Sequence, residues 1–467
     1  MRRTLIMTIF LAQTVPAIAG RRNVPVPTLE QTTPAVLGRA LSAGPTTWER
    51  MEELCDGIGH RLAGTPMLEA AVDWAADHMQ RDGLANVKKE PVEVSHWSRG
   101  EESLRLLGDH PRPLPMLGLG HSVGTQGVEA EVVVVSDYEQ LELLGKAGIE
   151  GKIVLFDAPF DGYGKTVTYR VHGPSRAAKL GAVASLVRSI SPTSLATPHT
   201  GTLIYADDGP KIPAAAVDIE TATQLHRMVD RGLHPRVKLV MGAQEHGTVM
   251  SANVVGEIVG RELPEEIVVV GCHLDSWDVG QGAQDNAAGC VAAMEVGRVI
   301  SALPHRPRRT IRVVLFTNEE SGLMGGKTYA KVHANENHVA AIEMDTGAGP
   351  FLGYRVQAPA ADRETQLAES TEAIRQLEPM QRHLAGMGDV QWLPSYAGSD
   401  VGPLIEQGAL GFGLHMDTSG YWPIHHTKAD TLDKIDPATF QRDVAGLALL
   451  AWTLGEWKDI PGGTVKP

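Results

Sequence analysis

Residues 268–290 read VVVGCHLDSWDVGQGAQDNAAGC, an apolar run that breaks into a histidine and three acids, Asp275, Asp278 and Asp285, separated mainly by small residues. The run belongs to EIVVVGCH (266–273), whose β-branched content predicts a buried strand, and the NAAGCVAAMEVGRVIS that follows (286–301) has the texture of a helix. The same alternation continues downstream. TIRVVLFT (310–317) precedes GLMGGKTYAKVH (322–333), and VAAIEMD (339–345) runs into a Gly-rich loop. Strands alternating with helices imply right-handed crossovers, so the chain reads as α/β with a mostly parallel central sheet flanked by helices.

Upstream of about residue 249 the texture differs. MRRTLIMTIFLAQTVPAIAG opens with Arg2 and Arg3, continues with an apolar stretch and ends on Ala17-Ile18-Ala19, the pattern of a cleavable secretory signal over residues 1–19. Its apolar run is well short of the roughly 20 residues a bilayer span needs, and no later window is apolar enough, so a soluble protein, secreted or periplasmic, is expected. Residues 20–48 are rich in Pro and Thr and suggest an extended arm. From Thr46 to Leu84 apolar residues recur at helical spacing, interrupted by the turn HRLAGTP (60–66), which predicts two helices. Short β-type runs at 130–136, 152–157 and 182–187 mark 105–245 as an inserted β-rich domain. It divides a catalytic domain into 49–104 and 246–458, with 459–467 left as a tail.

Composition narrows the function. The chain has 467 residues, 43% hydrophobic, enough for two or three domains or one elaborated domain. Losing residues 1–19 removes two arginines and no acid, taking the net charge from −14 to −16. Nucleic acid is an unsuitable partner for such a surface, because that binding rests on basic groups neutralising phosphates. Cys55, Cys272 and Cys290 contain no C-x-x-C pair. Cys272 and Cys290 sit in apolar surroundings and read as buried thiols, with a bridge between them as the alternative.

The polar clusters fall at one edge of the expected sheet. His273 and Asp275 end one strand, Glu319 and Glu320 the next, and Asp345 the third, while His425 and His426 follow a later apolar-to-polar transition. In an open parallel sheet these carboxyl ends form the crevice where ligands bind. Each cluster has an ordinary alternative: Asp285 could cap a helix, and Glu319-Glu320 could be a solvated loop. Taken jointly, several crowded carboxylates repel unless a cation lies among them. Imidazoles and carboxylates without thiolate suit a catalytic zinc or a similar ion. Neither HExxH nor G-x-S-x-G occurs, and five ligands are too many for one tetrahedral ion that also holds water. They suit two ions sharing a carboxylate.

H-x-D, D-N-A-A-G, N-E-E, M-D and H-H-T-K-A-D-T, in that order between about 250 and 435, resemble the motifs of the co-catalytic two-zinc exopeptidases. HRLAGTP extends the likeness to about 50–458, and the 105–245 block looks like the protease-associated insert of some members. The resemblance implies two zinc ions per chain. His273 and Asp345 would hold one, Glu320 and His426 the other, and Asp285 would bridge them. His426 is chosen over His425 because the family's ligand precedes a Thr, four residues before the Asp of A-D-T. The likeness further implies that Asp275 orients His273 and that Glu319 is the general base for a metal-activated water. Gln284 departs from the pattern, standing where many relatives have an acid.

Within the family, the doubled histidine and long insert look most like the carboxypeptidase Q branch. That implies hydrolysis of dipeptides or short peptides, in an enzyme that pairs as a homodimer. His425, Ser399, Asp400 and Tyr421 are candidate substrate contacts, the last three having structural turn roles as the alternative. An aminopeptidase releasing neutral N-terminal residues is the other enzymatic reading, and a non-catalytic binding protein on the same fold is the non-enzymatic one.

Overall fold

The computed structural model describes residues 27–461. The expected signal segment 1–19, the start of the expected arm and most of the tail lie outside the described residues. Where composition suggested an extended arm, Leu29–Ser42 is a helix. A capping box between Thr28 and Gln31 supplies its first turn with partners, and Val36 and Ala40 are buried. Trp452 Nε1 donates to Thr32 Oγ1 at 3.0 Å, tying the helix to Pro437–Glu456. Tertiary burial therefore overrides the Pro- and Thr-rich composition.

One eight-stranded sheet runs, in spatial order, Ala85–Ser98, Gln244–Ile258, Arg309–Phe316, Leu263–His273, Asn337–Glu343, Leu410–Met416, Phe351–Gln357 and Gln391–Pro394. The four strands from Arg309–Phe316 to Leu410–Met416 are mutually parallel. The flanks are not. Ala85–Ser98 and Gln244–Ile258 pair antiparallel, as do Gln244–Ile258 with Arg309–Phe316 and Phe351–Gln357 with Leu410–Met416. The sheet is thus mixed, which corrects the mostly parallel expectation. The reason is connection length: a parallel return needs about a dozen residues or more. Loops 259–262 and 344–350 are too short, so the strands they join run in opposite directions.

Both faces of the parallel core are covered, as an apolar strand without polar alternation requires. Val268, Val270 and Cys272 pack with residues of helices Ala288–Ser301 and Pro437–Glu456, whereas Ile267 and Val269 pack with Tyr329, Leu404 and Ile405. Cys55, Cys272 and Cys290 are buried free thiols.

The chain leaves this sheet at Ser98 and returns at Gln244, residues paired in register with each other. Between them, strands from Glu102–Leu106 to Arg236–Met241 build a second eight-stranded sheet. Four of its strands, Thr125–Val135, Ile153–Phe156, Ala184–Arg188 and Ala214–Val217, are parallel, and helices such as Tyr138–Ile149 and Ile219–Asp230 accompany them. This unit carries more helix than the β-rich expectation and is α/β in texture.

Candidate metal centre and catalytic site

The parallel strands bring the acids and histidines together at their carboxyl ends. His273 closes its strand, Glu319 and Glu320 follow Phe316, Asp345 follows Glu343, and His425 and His426 lie in the turns after Met416. His273 Nε2 is 3.2 Å from Asp285 Oδ1 and 3.0 Å from Asp345 Oδ1. His426 Nε2 is 3.3 Å from Asp285 Oδ2 and 3.0 Å from Glu320 Oε2. Asp285 therefore offers one oxygen to each histidine, and each histidine meets one further carboxylate. Among the described residues the carboxylate oxygen in reach of His425 Nε2 is Asp285 Oδ2, at 3.5 Å, and the His425 ring stacks on His426 with centroids 3.6 Å apart.

Asp285 is not the helix cap. Asn286 Oδ1 accepts from Gly289 N at 3.0 Å and serves the helix start, which leaves the Asp285 carboxylate facing the histidines. Among the described residues Glu320 Oε1 is buried without a hydrogen-bond donor, and Asp285 Oδ2 has only the ring nitrogens of His426 and His425 near it, at 3.3 and 3.5 Å. Orphaned carboxylate oxygens beside two imidazole nitrogens are costly in a buried site unless a cation satisfies them. Hard oxygen donors plus imidazole nitrogens fit zinc, and no thiolate contributes.

Electrostatics follow the geometry. Burial disfavours a charged His273, but the Asp345 carboxylate and hydrogen bonds to Asp285 and Asp345 push its pKa well above the usual histidine value. His426 is raised in the same way, Glu320 outweighing burial. His425 is held well below by burial and by the neighbouring His426 charge. Burial works against the Asp285 anion, yet hydrogen bonds from His273 and His426 hold its pKa well below the usual carboxylate range. At Glu319, burial together with Asp345, Glu320 and Asp275 raises the pKa well above the ordinary value, against the pull of His273.

Asp275 acts through two parts. Its main-chain carbonyl is 3.0 Å from His273 Nδ1, whereas its carboxylate stands 3.8 Å from that nitrogen. The carboxylate instead accepts from the main-chain N–H groups of Glu319, at 3.0 Å, and Glu320, at 3.2 Å. It thereby fixes the loop that carries both glutamates. Gln284 holds another loop, accepting from Ala348 N at 2.6 Å.

Three contributors escaped the sequence reading. Arg61, in HRLAGTP, is fully buried and donates to the carbonyls of Leu274, at 2.8 Å, Gln281, at 2.9 Å, and Gly282, at 2.9 Å, pinning the segment between His273 and Asp285. Asp430, in A-D-T, accepts from Gln284 N at 2.7 Å and Asp285 N at 3.1 Å. The motifs pointed to both, but a polar side chain's partner is set only by the fold. The third is Arg355, on the strand Phe351–Gln357, within electrostatic reach of Asp345. Its side chain makes one long hydrogen bond, 3.5 Å to Thr346 Oγ1, and no ion pair within 4.0 Å among the described residues.

Of the remaining candidates, Tyr421 is buried with its ring 5.1 Å from His425. Ser399 lines a cleft of about 890 Å³ with Leu323, Lys327 and Tyr396. Asp400 is completely buried beside Glu343, both its oxygens lacking a hydrogen-bond partner, and offers substrate no surface.

Comparison with known proteins identifies the family. The model of Peptidase family M28 matches residues 253–451. Carboxypeptidase Q of Xenopus laevis is 38% identical over 417 residues, covering 89% of this chain and 87% of the relative. A crystal structure of a peptidase M28 precursor from Shewanella amazonensis SB2B superposes with a TM-score of 0.86 at 34% identity, over 92% of this chain and 97% of that one. A zinc aminopeptidase from Bacillus subtilis shares the fold, with a TM-score of 0.66 at 20% identity over 90% of this chain and 97% of that one. The fold and its rim of histidines and carboxylates are those of a zinc-dependent metallopeptidase, a hydrolase. The chain belongs to peptidase family M28.

Proposed function

We propose that the chain is a carboxypeptidase Q-like exopeptidase that hydrolyses dipeptides or short peptides with two zinc ions. One observation carries the reading: the Asp285 carboxylate turns one oxygen to His273 and the other to His426, each histidine having a carboxylate of its own. His273, Asp345 and Asp285 would hold one ion, and His426, Glu320 and Asp285 the other. When bound, the ions supply Lewis acidity to water and to the scissile carbonyl. Glu319 then takes the water's proton at its carboxylate and returns it to the leaving amine. Asp275 keeps Glu319 and Glu320 in place through their N–H groups, and the Asp275 carbonyl keeps Nε2 of His273 turned toward Asp285 and Asp345.

A free substrate carboxylate needs a cation, and Arg355, without an ion-pair partner among the described residues, is placed to supply it; His425, Ser399 and Tyr421 would complete the contact surface. The relatives named carboxypeptidase Q favour this reading over the aminopeptidase alternative, for which the Bacillus subtilis likeness is one of fold. Secretion through residues 1–19, a protease-associated-like role for the second sheet, and pairing into homodimers belong to the same proposal. The test is zinc per chain together with rates on free, N-acetylated and C-amidated dipeptides. Cleavage of N-acetylated but not C-amidated dipeptides is expected, and the reverse preference would make the enzyme an aminopeptidase. Arg355→Gln is expected to raise KM for free dipeptides about tenfold or more, the scale of a lost charge-assisted hydrogen bond, with zinc content unchanged.

A further inference from the structure

The two halves of the site are supported differently. Around His273 the hydrogen bonds come from the first sheet's own loops: the Asp275 carbonyl at Nδ1, and Asn286 Nδ2 donating to the Met344 carbonyl beside Asp345 at 2.8 Å. Around His426 and Glu320, apart from the Glu320 N–H that Asp275 accepts, they come from the second sheet's unit. Thr200 N donates to the His426 carbonyl at 3.0 Å, and the Thr200 carbonyl lies 3.2 Å from His426 Nδ1. Two residues on, Thr202 Oγ1 donates to the Glu320 carbonyl at 2.7 Å.

One buried cation braces this short segment. Arg170 donates through Nη1 to the Thr200 carbonyl at 3.2 Å, through Nε to the Thr202 carbonyl at 3.3 Å, and through Nη2 to Tyr163 Oη at 3.0 Å. The main chain wraps the guanidinium so closely that a Cβ on Gly201, whose φ is +140°, would stand 2.2 Å from Arg170 Cζ. The segment is tied back to its own unit, with Gly120 N donating to the Gly201 carbonyl at 3.0 Å and Thr200 Oγ1 to the Gly118 carbonyl at 2.7 Å.

We propose that residues 200–202, braced by Arg170, form a clamp reaching from the second sheet that sets metal affinity at the His426–Glu320 position and not at the His273–Asp345 position. A proton on His426 Nδ1 finds its acceptor in the Thr200 carbonyl, which leaves the Nε2 lone pair directed at Asp285 and Glu320. Thr202 meanwhile fixes the main chain from which Glu320 projects. Arg170 and Thr202 are positioning residues: Arg170 holds the Thr200 carbonyl that faces His426 Nδ1, with its Nη1 itself 3.4 Å from that nitrogen, and Thr202 bonds the main chain of Glu320. The inference rests on the two-ion reading above, and it makes the second unit part of the metal centre.

The test is zinc per chain for the full-length protein after dialysis against graded chelator, with the thermal midpoint at saturating chelator as a fold control. The wild type is expected to lose its two ions in two steps. Thr202→Val should move one step to about tenfold lower chelator, and Arg170→Met toward a hundredfold, the usual span for residues that orient metal ligands. The other step and the control midpoint should stay in place. Thr202→Ser, which keeps the hydroxyl, should restore the wild-type profile. A wild type that binds one zinc per chain would overturn the two-ion reading and the clamp with it. A two-zinc wild type whose steps are unmoved by Thr202→Val and Arg170→Met, or shift together, would overturn the clamp alone.

Discussion

Glu319→Gln is expected to lower kcat about a thousandfold or more while zinc per chain and KM stay near wild type, on the scale attributed to a positioned general base. The substitution keeps the shape of the side chain and removes its ability to take up and return a proton. Glu319 is suited to the role by its surroundings. Its main-chain N–H is held by Asp275 Oδ1 at 3.0 Å, and its carboxylate makes no hydrogen bond among the described residues. Burial and the charges of Asp345, Glu320 and Asp275 raise its pKa well above the ordinary carboxylate value, a perturbation of the kind that marks proton-transferring groups. Steady-state kinetics on a dipeptide, with elemental analysis of the same sample, separate the outcomes. Retained turnover would remove Glu319 from the proton path. Loss of zinc in step with turnover would make it a ligand instead.

Position along the chain explains which parts of this site could be read from sequence. His273, Glu320 and Asp345 stand at the ends of three apolar runs, and apolar runs separated by helix-length segments place their carboxyl ends on one rim by topology alone. Asp285 was ambiguous until the fold assigned the capping role to Asn286. The antiparallel flanks were hidden for another reason. Ala85–Ser98 finds its partner Gln244–Ile258 only across the whole second unit, and no local pattern encodes a pairing of that separation. Arg61, Arg170 and Asp430 are single polar residues whose partners are mostly main-chain groups, and main-chain geometry leaves no trace in residue identity. The helix Leu29–Ser42 was obscured by local composition, because its stability comes from burial of Val36 and Ala40 rather than from propensity.

Asp285→Ala is expected to abolish activity by releasing both ions, where His426→Ala should release one. The difference follows from sharing. Oδ1 of Asp285 faces His273 at 3.2 Å and Oδ2 faces His426 at 3.3 Å, so removing the carboxylate opens both positions, whereas removing His426 leaves His273, Asp345 and Asp285 together. Loss of both ions takes away the means of lowering a water pKa from about 15.7 toward neutrality, and turnover should fall below that of Glu319→Gln, which keeps its metal. The loop itself should remain in place. Asp430 accepts from the main-chain N–H groups of Gln284 and Asp285, and Arg61 holds the Gln281 and Gly282 carbonyls, none of which involves the deleted side chain. Far-UV circular dichroism close to that of the chelated wild type should accompany the metal loss. An Asp285→Ala protein that still binds one zinc with wild-type affinity would show that the carboxylate serves a single position, and the shared-ligand geometry would have to be abandoned.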